Sequence, residues 1–219
     1  MLSFHEKYKR NDWSQEGEDG VIEEILSRMG ITKGVCVEFG SADGKFCSNT
    51  RALILKGWKG LMIEASHQQH LAAVNLYRKP SNIQFNQDNP PLPDVVLQNA
   101  FVTPENVNRL LPAEIDVLSI DVDSIDYWIW KAYAGKAKVV VIEIDSSMDP
   151  LIPITGTKDN GSSYAAMVQL AQVKGYTVLC HCGNLICVDS DYKDLFPEVE
   201  GLDPMRDWKL FFNTSWRPK

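Results

Sequence analysis

The chain has no apolar run approaching the roughly 18 residues that a membrane-spanning helix requires. Its densest stretch, residues 139–142, is followed at once by Glu143. Residues 1–10 mix His5, Glu6, Lys7, Lys9 and Arg10 with no apolar h-region, so no secretory leader is expected and the expected location is cytoplasmic. Basic charge is in deficit: 22 Lys and Arg face 29 Asp and Glu, a net charge of −7. That balance disfavours nucleic acid as a partner held by phosphate neutralisation. Repeats, low-complexity tracts and Ser/Gly-rich linkers are missing, and 14 Gly and 11 Pro exclude collagen-like and disordered classes. A single domain over residues 1–219 is therefore expected, with a helical segment at 1–33, a core at 34–189 and a tail at 190–219.

Cysteine is also scarce. The five residues read as thiols rather than a disulfide framework. Cys36 sits in an apolar run, as a small core hydrophobe does. Cys180, His181, Cys182 and Cys187 lack zinc-finger spacing, and adjacent strand residues point to opposite faces, so two buried strands are the better reading.

What is present is an alternation. Short β-rich runs lie at 35–39, 60–65, 83–86, 116–121, 138–144, 176–181 and 185–189, several continuously apolar, as for strands covered on both faces. Between them, Val21, Ile22, Ile25, Leu26 and Met29 recur at helical spacing, and further helices are predicted at 52–56, 67–77, 105–111, 127–133 and from Ser162 or Ser163 to Gly175. Residues 190–219, with Phe196, Trp208, Phe211, Phe212 and Trp216, read as a packing tail or a cover over a site. This order predicts an α/β fold: a Rossmann-like, open, mostly parallel seven-stranded sheet with helices on both faces and a C-terminal antiparallel hairpin.

Ligands bind such sheets at the carboxyl ends of the strands. The first strand runs into V-E-F-G-S-A-D-G at 37–44, where Gly40 and Gly44 permit a tight turn. Glu38 and Asp43 flank that turn and would repel a pyrophosphate, which disfavours a dinucleotide and favours a cationic ligand. The second strand ends in Glu64, 24 residues after Gly40, with Ala65 beside it. An acidic side chain there accepts hydrogen bonds from a ribose diol. A ribose-bearing cation is S-adenosylmethionine, whose sulfonium carries the charge.

The ordered segments S-Q-E-G-E-D-G at 14–20, V-E-F-G-S-A-D-G at 37–44, S-N-T-R at 48–51, K-G-W-K-G-L-M-I-E at 56–64 and L-S-I-D-V-D-S-I-D-Y-W-I-W at 118–130 resemble the FkbM-type S-adenosylmethionine-dependent methyltransferases. The resemblance spans roughly residues 13–188 and implies a class I methyltransferase fold. It would place Glu38, Gly40, Ser41 and Gly44 around the methionine part, Glu64 on the ribose, Asp121 near the sulfonium, and Asn49 and Thr50 beside the glycine turn. Similar sequences read D-G-x-D-Y and E-Y-N where this one has Asp123 to Tyr127 as D-S-I-D-Y, and Glu143 onward as E-I-D-S-S. Ser124 and Asp145 thus alter the mouth of the site, and they raise the alternative of a binding module without turnover.

Asp121, Asp123, Asp126, Glu143, Asp145 and Asp149 gather at the ends of two strands expected to be neighbours. Carboxylates brought together are protonated, paired with a base or bound to a cation. The arrangement is similar to metal-assisted methyltransferases of the catechol type, with Asp121, Glu143 and Asp145 as the candidate Mg2+ ligands and Asp123 as ligand or general base. Metal binding, metal-free acid/base chemistry by Asp121, Asp123 and Asp145, and a purely structural set of caps all stay open. A metal-dependent hydrolase or nucleotidyl enzyme is a further alternative.

Asn86, Gln87 and Asp88 follow the expected third strand, where a polar side chain can read adenine. His67 and His70 share a helix but read as surface residues, and Trp128, Trp130 and Tyr133 as core. Gln15, Glu16 and Asp19 would cap the first long helix or close over the cofactor. The loop 149–161 is a candidate acceptor wall. The expected activity is methyl transfer from S-adenosylmethionine to an oxygen of a sugar or another small polar metabolite, with homo-oligomers compatible.

Overall fold

The computed structural model describes residues 3–78, 94–157 and 159–213. Seven strands form one sheet: β1 (Val35–Phe39), β2 (Lys59–Glu64), β3 (Val95–Asn99), β4 (Ile115–Ile120), β5 (Ala137–Glu143), β6 (Tyr176–Cys182) and β7 (Asn184–Asp189). Their order is β3-β2-β1-β4-β5-β7-β6. The first five positions are parallel, and β7 is antiparallel to both β5 and β6. This is the predicted Rossmann-like sheet with its terminal hairpin.

The apolar runs are continuous because both faces are covered. On one face Cys36, Met62, Val117 and Val139 pack with α2 (Glu18–Arg28) and α3 (Arg51–Leu55). On the other, Val37, Phe39, Leu118 and Val140 pack with α6 (Asp126–Ala132) and α7 (Tyr164–Val173). Trp130 and Tyr133 are core, as predicted, whereas Trp128 is exposed. Helix starts follow the capping chemistry: Ser66 accepts from Gln69 N at the head of α4 (His67–Tyr77), and Ser163 accepts from Ala166 N at the head of α7.

Two elements were not anticipated. A five-residue helix, α1 (Phe4–Tyr8), packs beside β6, and β3 occupies Val95–Asn99. The predicted strand at 83–86 lies outside the described residues. The helix expected at 105–111 is shorter, α5 (Val107–Leu110). The tail does pack: Phe196, Phe211 and Phe212 are buried, and Phe212 stacks on His181 at 4.3 Å between ring centroids. Trp216 is outside the described residues. Cys180 and Cys182 face one core and Cys187 the other, so they do not converge. Among the described residues no helix is long and apolar enough to cross a membrane.

The ends of β1 and β4 meet at Gly40. Its φ is +65°, and an added Cβ would lie 1.6 Å from the Asp121 carbonyl oxygen. Gly30 has a similar φ of +69° with open space around it. Gly40→Ala is therefore expected to cost roughly 3 kcal/mol or more, since strain and clash add. Gly30→Ala should cost only about 1 kcal/mol. Thermal melts of both variants check this; equal shifts would refute it.

Candidate active site

β1 and β4 are neighbours, but the helices that follow them, α3 and α6, leave toward opposite faces. Their carboxyl ends therefore open a crevice at the reversal of strand order. A cavity of about 490 Å3 fills it, lined among others by Glu38, Gly40, Ser41, Glu64, Ala65, Asp121, Asp123 and Glu143.

Glu64 ends β2 at the cavity wall. Its Oε2 accepts from Ala42 N at 2.9 Å and its Oε1 from Ser66 N at 2.6 Å. A carboxylate offers about four acceptor positions, so each oxygen keeps one open. Ser41 is buried beside it, and its Oγ has no hydrogen-bond partner among the described residues. A buried hydroxyl without a partner marks a place where a ligand or water completes the bonding.

Glu38 is committed mainly to the wall. Its Oε2 accepts from Ser48 Oγ at 2.7 Å and Thr50 Oγ1 at 2.8 Å, and its Oε1 from Asn49 N at 2.7 Å. Burial pushes this carboxyl above its ordinary range, and the three donors oppose the shift. Asn49 and Thr50 thus stand behind the cavity instead of lining it; Asn49 Nδ2 donates to Ser119 Oγ at 3.1 Å. Asp43 also turns away, accepting from Lys45 N and Phe46 N at 2.9 Å each. Gly44 packs against Tyr77, where a Cβ would lie 2.9 Å from the ring. None of these four residues lines the cavity; each supports its frame.

At the β4 and β5 ends, Asp121, Asp123 and Glu143 each offer an oxygen, all within 4.8 Å of one another. Asp123 holds a left-handed φ of +64°, and its N donates to Glu143 Oε2 at 3.1 Å. Asp126 is buried below them and closes the loop by accepting from Val122 N at 2.8 Å and Ser124 N at 3.0 Å. Burial raises the Asp126 carboxyl to about 6. Burial and mutual repulsion push Asp121 and Glu143 up together, well above the ordinary carboxylate range.

Asp145 is not in this group, which corrects the expected ligand set of Asp121, Glu143 and Asp145. Its Oδ1 accepts from Ser147 N at 3.0 Å and Ser147 Oγ at 2.5 Å, closing a turn. Asp145 instead lines a second cavity of about 250 Å3, with Ser146, Asp159, Asn160 and Gly161; Asp123 and Glu143 border both spaces. The loop after β5 thereby walls the smaller cavity.

Asp88, Asn86 and Gln87 lie outside the described residues. The residues that do follow β3 into the cavity are Ala100, Phe101 and Val102, which sequence reasoning missed. The Val95-Val96-Leu97 run just after Pro93 was the signal for that strand. Neither His67 nor His70 lines the cavity, although Gln69 does. His67 Nδ1 lies 3.2 Å from Asn99 Oδ1.

The folded protein holds the protons of Asp121 and Glu143 more tightly than the unfolded chain does. Stability from this pair is complete below the ordinary carboxylate range and is lost as pH rises through the raised folded values. Glu143→Gln should therefore raise the Tm at about pH 8.5 in metal-free buffer, by roughly 2–4 °C for each kcal/mol relieved. The gain should shrink as pH falls and vanish below about pH 3, under the ordinary carboxylate range, where both carboxyls are protonated in either state. A gain that grows on acidification would refute this.

No family model matches the chain, and no curated protein sequence matches it. Among solved structures it is similar to magnesium protoporphyrin IX methyltransferase (ChlM) from Synechocystis PCC 6803 with bound SAM, at 13% identity over 78% of this chain and 77% of that one, TM-score 0.45. It is also similar to a structure concerned with conversion of a disulfide bond into a thioacetal group during echinomycin biosynthesis, at 12% identity over 88% and 93% of the two chains, TM-score 0.47.

Proposed function

We propose that the chain is an S-adenosylmethionine-dependent methyltransferase acting on an oxygen of a sugar or another small polar metabolite. The observation that carries this is Glu64, which keeps one open acceptor position on each oxygen at the wall of a crevice of about 490 Å3. S-adenosylmethionine supplies, when bound, an electrophilic methyl group on a positively charged sulfur. Glu64 would hold the ribose diol, the orphaned Ser41 hydroxyl fits a polar group of the same ligand, and the carboxylate-lined end at Asp121 favours a cation.

The acceptor fits the adjoining cavity of about 250 Å3, which meets the first at Asp123 and Glu143. Asp123 is exposed at this junction and would take the acceptor's proton, with Asp121 and Glu143 beside it as a proton-sharing pair. Asp145, whose role as a catalytic group was expected, would shape the acceptor wall. Most of the rate would come from holding the acceptor oxygen in line with the methyl group.

A second reading follows from the three oxygens within 4.8 Å: Asp121, Asp123 and Glu143 suit a hard divalent cation such as Mg2+. Such an ion would neutralise the cluster and polarise an acceptor oxygen.

Calorimetric titration with S-adenosylhomocysteine, with and without Mg2+, is the test, followed by transfer of a labelled methyl group to a metabolite extract. The wild-type chain should bind, and Glu64→Gln should weaken binding roughly tenfold, as expected for loss of hydrogen bonds to a charged group. Binding without any turnover would favour a non-catalytic module. Affinity for Mg2+ with none for S-adenosylhomocysteine would point to a metal-dependent hydrolase or nucleotidyl enzyme.

A further inference from the structure

The S-Q-E-G-E-D-G segment lies ahead of the sheet in sequence, yet Gln15 lines the large cavity. Its neighbours are committed to folding the loop. Asp19 Oδ2 accepts from Asp12 N at 2.8 Å, Trp13 N at 2.6 Å and Ser14 N at 2.7 Å. Ser14 Oγ donates to Asn11 Oδ1 at 2.9 Å and accepts from Asp19 N at 3.0 Å. Glu18 Oε2 accepts from Glu16 N at 2.7 Å, and Glu18 Oε1 from Asn184 Nδ2 at 3.1 Å. Gln15 differs: among the described residues its side-chain amide makes no hydrogen bond, and only its carbonyl is used, by Asn11 Nδ2 at 2.7 Å.

The loop is also tied to the frame of the cavity. The Trp13 ring lies 4.4 Å from the Arg51 guanidinium carbon, and Arg51 Nη1 donates to Gly44 O at 3.2 Å and Tyr77 OH at 3.0 Å. Arg51 is buried and carries no ion pair among the described residues. Its charge is met by ring faces and neutral oxygens, and this fixes Trp13 in place. On the other side, Glu16 packs against Gly183 in the turn between β6 and β7. Gln15 is thus carried between a tie beside Gly44 and the β6–β7 turn, and it lines the same cavity as Glu64.

We infer that Gln15 is a cofactor-contacting residue that hydrogen-bonds the amino-acid end of the methyl donor, with Trp13 and Arg51 as the residues that position it. The inference rests on the methyltransferase reading. A primary amide both donates and accepts, which suits a ligand end that carries a carboxylate and an ammonium together. Glu16, next to Gln15, packs on the β6–β7 turn, and β2, where Glu64 would hold the ribose, lies beyond β1 and β4 from that side of the sheet, which selects that end over the nucleoside.

Two probes separate the possibilities: S-adenosylhomocysteine, which has the amino-acid end, and 5′-methylthioadenosine, which lacks it. Gln15→Ala should weaken S-adenosylhomocysteine about tenfold in calorimetric titration, the scale of one or two hydrogen bonds. It should leave 5′-methylthioadenosine within about twofold, and the Tm unchanged because Gln15 is exposed. Retention of S-adenosylhomocysteine affinity within about twofold, or an equal loss for both probes, would overturn the inference. A wild-type chain that binds neither probe would overturn instead the methyltransferase reading beneath it.

Discussion

The site depends on one buried carboxylate. Glu38 sits where a charge is costly, and it is tolerated because Ser48, Asn49 and Thr50 bring three donors to it. Those donors belong to the segment that leads into α3, so satisfying Glu38 also fixes the path of the chain after the glycine turn. Removing one partner of such an arrangement leaves an uncompensated polar group, which costs more than the pair contributes. Next to this carboxylate, Ser41 N donates to Ile63 O at 3.4 Å and Ala42 N to Glu64 Oε2 at 2.9 Å, so the same turn is also tied to the end of β2.

Opposing electrostatic demands shape the far end of the crevice. Asp121, Asp123 and Glu143 crowd within 4.8 Å, and Asp126 lies beneath them. Repulsion and burial raise the Asp121 and Glu143 carboxyls. The folded protein accepts this strain at the place where two strand ends and two cavities meet. Structural carboxylates elsewhere show the contrast: Glu198 pairs with Arg28 and is held down to about 2. Crowded raised acids in a cleft mark a candidate site for ligand chemistry, whereas Glu38 and Asp126, raised by burial alike, serve the scaffold.

Much of the fold was legible in the residues. β1 matches its predicted limits, and β2, β4, β5, β6 and β7 fall within a residue of theirs, because strands buried on both faces are written as unbroken apolar runs. β3 escaped because only the short run Val95 to Leu97 marks this half-exposed edge strand, a weaker signal than a longer buried run. The short α1 escaped for a related reason: five residues carry too little periodicity to register. Glu64, Ser41 and Asp121, singled out by their positions after strands, line the large cavity. Asp43, Gly44, Asn49 and Thr50 lie in the same motifs but frame the cavity without lining it, Asn49 and Thr50 by bonding to buried Glu38, and motif membership does not encode which residues face the open space.

From composition and order alone, the chain determined its class, its alternation of strand and helix, and the crowding of acids after the fourth and fifth strands. Those are local or additive properties, readable one segment at a time. The tertiary structure decided which acids crowd together, that Asp145 belongs to a separate turn, and that Gln15 reaches the cavity from a segment ahead of β1. Each depends on contacts between residues far apart in sequence, and the energies that settle them, desolvation and mutual repulsion, exist only once the chain has closed around the crevice.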